Sequence, residues 1–109
     1  MELSKSDKKA SREIIEKGLQ QEFAKGLFDA DTILDDWKNK RTNNQDTYHK
    51  LYKKIIDFDK QIARRYDRMT GSTYLFIIAG QLVDEFITES DLNGLSGEVK
   101  ATVKMIAGF

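Results

Sequence analysis

No cysteine and no proline occur among the 109 residues, and histidine and tryptophan occur once each. The first absence excludes disulfides and thiolate chemistry, so nothing in the chain calls for an oxidising compartment. The second removes the residue that most firmly ends a helix and leaves glycine and capping side chains to punctuate the chain. A di-iron carboxylate bundle needs paired Glu-x-x-His motifs, and the single imidazole, His49, has no glutamate three residues before it. Long apolar runs are missing too, since the longest, Tyr74 to Val83, covers about half a bilayer. Eighteen basic and eighteen acidic residues cancel, which removes the bulk attraction that dedicated nucleic-acid or anionic-membrane binders carry. With a polar start from Met1 to Ala10, the expectation is a cytoplasmic protein that does not touch a membrane.

What is present is helical periodicity. Tyr48, Leu51, Tyr52, Ile55, Phe58, Ile62, Tyr66 and Met69 recur at steps of three and four. At 100° per residue they fill an arc roughly 120° wide, so a continuous helix over about 46–69 with this arc in a core is predicted. Ser6 and Asp7 open an earlier helix over about 7–25, with Ile14, Ile15, Leu19 and Phe23 on one face and Gly26 at its end. Gly18 shares that face and suits close helix contact. Ala30, Ile33, Leu34 and Trp37 predict a short helix over about 30–40, followed by a polar connector from Arg41 to Gln45. Gly71 is expected as a left-handed helix end, before an apolar helix over about 73–87. A single helical turn fits between Glu89 and Gly97, and Ser96 is placed to cap a last helix bearing Val99, Val103 and Ile106. The fold class is therefore all-α: a single-domain bundle of about five unequal helices around 46–69 and 73–87, with residues 1–5 as a tail.

Function is written less clearly. No arrangement of residues specifies catalytic, cofactor-binding or metal-binding groups. The acidic cluster Asp29, Asp31, Asp35 and Asp36 begins like a calcium loop, but its sixth position is Leu34 where glycine is needed and its twelfth is Lys40 where glutamate is needed. Glu13 and Glu16, spaced Glu-x-x-Glu, resemble half of the magnesium-holding motif of all-α nucleotide pyrophosphohydrolases. The companion Glu-x-x-Asp is absent, because Asp84 and Glu85 are adjacent.

Two carboxylates stand out as candidate buried polar groups. Asp59 lies in the middle of the long helix's apolar arc, and Glu22 falls between Leu19 and the Ile15–Gly18 face. Each is expected to be paired, since an isolated buried charge costs several kcal/mol. Tyr74, Ile77 and Ile78, on the less apolar side of helix 73–87, are candidates for an interface unless the last helix covers them, and Trp37 is a candidate hot spot or core lid. Lys53, Lys60, Arg64 and Arg68 form a candidate basic surface on the back of the long helix. Residues 46–70 carry seven basic against four acidic side chains and residues 71–109 two against five, an asymmetry suited to packing within the molecule or between copies.

The reading these features favour is a protein-interaction or regulatory module, with a homodimer as one form, and no enzyme. A nucleic-acid accessory protein using the basic surface is the second reading. An enzyme using Glu22 and Asp59 as a metal or acid/base pair is the third.

Overall fold

The computed structural model describes residues 2–109. Of the chain, 78% is helical, and no strand occurs among the described residues, so the fold is all-α. Helix α1 spans Lys5–Lys38, α2 Asn44–Tyr66 and α3 Tyr74–Val83; a 3-10 helix over Glu89–Gly94 precedes α4, Gly97–Ala107. No helix is long and apolar enough to cross a membrane among the described residues. The chain forms two compact units, Met1–Glu22 with Arg68–Phe109 and, separately, Phe23–Asp67. Helix α1 supplies residues to both.

The first unit holds the core. Among the described residues, thirteen of the fourteen buried apolar side chains belong to it, including Ile14 and Ile15 of α1, Ile78 and Leu82 of α3, and Val99 and Val103 of α4. Leu3, in the stretch expected as a tail, is buried as well. Helix α1 opens earlier than Ser6: Ser4 Oγ accepts the Asp7 N–H at 3.0 Å, satisfying one of the unpaired donors of the first turn.

Polar side chains fix how these helices meet. Gln81 is fully buried, and its Nε2 donates to the Ile15 carbonyl at 3.0 Å. A Cβ on residue 18 would come within 2.3 Å of that Nε2, so Gly18 makes the notch the amide occupies. Asp7 joins the start of α1 to the start of α4. Its Oδ1 accepts the Ser96 N–H at 2.8 Å and its Oδ2 accepts the Ser96 hydroxyl at 2.9 Å. Ser96 does occupy the N-cap position of α4, but its side chain makes no cap bond and is turned to Asp7 instead.

Several sequence expectations are corrected. The helices foreseen over 7–25 and 30–40 are one, because Gly26 alone costs a helix only about 1 kcal/mol and the residues around it are ordinary helix formers. Gly26 is used for contact: a Cβ there would sit 2.8 Å from Cζ of Phe58. Gly71 is not left-handed. The positive-φ positions are Lys40 (61°), Glu85 (64°) and Gly108 (82°). Lys40 ends α1 with its N–H on the Trp37 carbonyl while the Arg41 N–H reaches Asp36, and Glu85 ends α3 in the same way with Phe86 N–H on the Gln81 carbonyl. Helix α3 is consequently shorter than the expected 73–87.

The second unit is an antiparallel hairpin of the later part of α1 and α2. Asn43 caps α2 by accepting the Asp46 N–H at 2.8 Å, and Trp37 Nε1–H donates to Asn44 Oδ1 at 2.7 Å. Asp29 Oδ2 meets Lys54 Nζ at 3.3 Å, and the rings of Phe23 and Phe58 lie 6.3 Å apart. Helix α2 is continuous as predicted but stops at Tyr66, short of the expected 69, and its apolar arc is not inside a core. Tyr48, Tyr52 and Ile55 are 68%, 60% and 55% exposed. The arc is wider than a single neighbouring helix can cover.

Candidate interaction surface

Within the hairpin, α2 turns two adjacent stripes in different directions. Thr47, Leu51 and Phe58, which are buried or half-buried, fall on the side facing α1, where Gly26 makes room for the Phe58 ring. Rotated by about 90° in the 100°-per-residue helix lie Tyr48, Tyr52 and Ile55, separated by steps of four and three. Helix α1 repeats the pattern: Phe23, Leu27, Ala30, Leu34 and Trp37 step by four, three, four and three, rotated in the same sense from the side that packs on α2. Because the helices are antiparallel, equal rotations in the same sense bring both stripes to one side of the hairpin. A groove of about 250 Å³ runs between them near the connection, lined by Leu34, Trp37, Asn44, Thr47, Tyr48 and Leu51.

This face is apolar and uncovered. Phe23 and Trp37 are each 42% exposed and Leu27 is 73% exposed, alongside the three α2 residues already described. With side chains of about 200 Å² apiece, the six leave roughly 600–700 Å² open, at or above the largest patch common on monomeric proteins. The first unit carries a shallow recess of about 290 Å³ bordered by Phe76, Val83 and Ile106.

The residues singled out from sequence are distributed as follows. Glu22 is fully buried in the first unit. Asp59 is exposed, contrary to expectation, because the arc it interrupts faces outward; it bounds the open face beyond Ile55. Ile77 and Ile78, proposed for an interface, are core residues with 7% and 0% exposure in the unit where α3 packs on α4, and Tyr74 is half-buried. The outward residues of α3 are Phe76 and Val83, since the buried Gln81 amide sets which side of the helix points inward. Trp37 is at the edge of the open face. Glu13 and Glu16 are both exposed, and no group of three or more His, Asp or Glu is placed to hold a metal ion among the described residues.

Of the expected basic surface, Lys53, Lys60 and Arg64 are on α2, whereas Arg68 lies beyond the end of α2 and belongs to the first unit. Lys53, Lys60, Arg64 and Arg68 are all exposed. Lys53 Nζ lies 2.5 Å from Asp57 Oδ2, and that hydrogen bond is the main influence holding the Asp57 carboxyl below its usual range. Lys54 is engaged by Asp29, whose carboxyl is lowered chiefly by Lys25 and then by Lys54. A rule that exposure follows polarity does not find the open face; its signal in the sequence is the number of apolar positions on α2, which exceeds what one neighbour buries.

Compared with protein-family models, curated proteins and solved structures, the chain matches none.

Proposed function

We propose that this chain is a protein-interaction module whose working surface is the open face of the α1–α2 hairpin. The observation that carries the reading is the contiguous apolar face with Phe23, Trp37, Tyr48 and Tyr52 on it, in a chain that packs its other unit tightly. Aromatic and aliphatic side chains in water at this density cost free energy that a covering surface recovers, at about 25 cal/mol per Å². Their steps of four and three fit knobs-into-holes contact with further helices, and two exposed aromatics per helix are the side chains that commonly dominate binding energy. The carboxylates near the connection, Asp31 and Asp35, give that face a polar rim.

The test is site-specific photo-crosslinking in extract from expressing cells, with a benzophenone amino acid at position 27 or 55 and a control at Glu98, exposed on α4. Protein adducts from the face positions, and not from position 98, are the expected outcome. Equal or no adduct formation at all three overturns the reading.

A further inference from the structure

The partner that the hairpin's own charges fit is a second copy of the hairpin. From Phe23 to Lys38, α1 carries four aspartates against two lysines, a balance of −2, whereas α2 carries six lysines and arginines against three aspartates, a balance of +3. The charges are also placed for use across an interface. On the edge of the hairpin away from α2, α1 presents Asp31 and Asp35; on the opposite edge, toward the back of α2, lie Lys60 and Lys53, the latter shared with Asp57 of its own helix, all four exposed.

Two ways of stacking one open face on another obey two-fold symmetry. An axis crossing the helices sets α1 over the other α1 and puts the aspartate edges together. An axis parallel to the helices sets α1 over the other copy's α2, antiparallel, and brings each aspartate edge to a lysine edge. Like charges side by side oppose the first arrangement and opposite charges favour the second. The height relation is fixed within the hairpin, where Gly26 meets Phe58 and Asp29 meets Lys54. The parallel axis preserves heights, so Asp31 of one copy comes level with Lys53 of the other.

We propose that two copies pair through these faces as an antiparallel four-helix bundle, each α1 lying over the other copy's α2. The inference rests on the interaction-module reading and names its occupant. The area suffices: closing two such faces buries about 1,300 Å², within the range of specific complexes. Asp59 marks where the apolar seam stops, and the contact extends from there to the connection, centred on Leu27, Trp37, Tyr48 and Ile55.

Light scattering at about 100 µM, a concentration that saturates micromolar self-association, should give twice the 12.6 kDa chain mass. Leu27→Glu and Ile55→Glu should each weaken the dimer at least about tenfold with unchanged helical circular dichroism, because both residues are exposed in the single chain. Orientation is read from charge reversal: Asp31→Lys should weaken the dimer several-fold, and adding Lys53→Asp in the same chain should restore it. If, in an equimolar mixture of the Asp31→Lys and unaltered chains, the mixed dimer exceeds its statistical half of all dimers, α1 lies over α1 and the proposed arrangement is overturned. A single-chain mass at the same concentration overturns self-pairing altogether. In that case face-specific crosslinks to a different protein leave the interaction-module reading standing, and their absence removes both.

Discussion

The two units of this molecule handle the same kinds of side chain in opposite ways. The first surrounds its apolar residues with three helices and a 3-10 turn and seats even a glutamine amide inside; the second, with seven aromatics against the first unit's four, buries only Ile33 and Thr47 among the described residues. The difference is one of neighbours, not of composition. A helix in a two-helix hairpin has one partner and can hide one stripe, and α2 carries nearly two. An apolar seam that a fold leaves uncovered is a statement about what the protein meets outside itself.

That contrast can be broken at measurable points. The largest effect should come from the first unit's interior: Ile78→Ala should cost about 3–4 kcal/mol in chemical denaturation, while Ile55→Ala, in dilute single chains, should cost under about 0.5 kcal/mol. Similar losses at both sites would mean that the hairpin face is packed after all.

Next in size are the two glycine contacts. Gly18→Ala drives a methyl into the Gln81 amide and should cost about 1–3 kcal/mol by displacing its bond to Ile15. Gly26→Ala meets the edge of the Phe58 ring, which can turn toward open solvent, and gains about 1 kcal/mol of helix propensity, so denaturation should show it close to neutral.

Acid should loosen the first unit through Asp7. The Ser96 amide N–H, and after it the Ser96 and Ser4 hydroxyls, hold the Asp7 carboxyl below its ordinary value against the opposing effect of burial. A carboxyl lowered in the folded state stabilises fully above its unfolded pKa of about 3.9, and the contribution disappears as pH falls through the lower folded value. As pH falls below about 4, hydrogen exchange of α4 amides should accelerate beyond its intrinsic pH dependence, and Asp7→Asn should show the loosened behaviour already at neutral pH. One further change is a gain. Glu85→Gly relieves a left-handed backbone at φ 64° and should add about 0.5–1 kcal/mol, as should Lys40→Gly in the hairpin at φ 61°.

How much of this was legible in the sequence follows from the same contrast. Helix content, the continuity of 44–66 and the last helix could be read because periodicity and capping residues act locally. The union of the first two expected helices was hidden because Gly26 looks like a terminator, and only the arrival of Phe58 shows its other use. For Ile77 and Ile78 the sequence leaves open an interface or cover by the last helix, because Gln81 on the same side reads as a surface residue; its carboxamide is inside since the Ile15 carbonyl and the Gly18 notch, 66 and 63 positions away along the chain, accommodate it. Asp59 was read as buried on the premise that an apolar arc implies a core. Periodicity reports which side of a helix is greasy, and says nothing of whether the same chain supplies the cover.

Trp37 turns the open face into its own reporter. As the sole indole in the chain, 42% exposed at the groove's edge and tethered through Nε1–H to Asn44, it is the only source of tryptophan emission. Whatever settles over the hairpin must change the water around that ring, so occupancy registers as a blue shift in intrinsic fluorescence, without a label and in the unaltered protein.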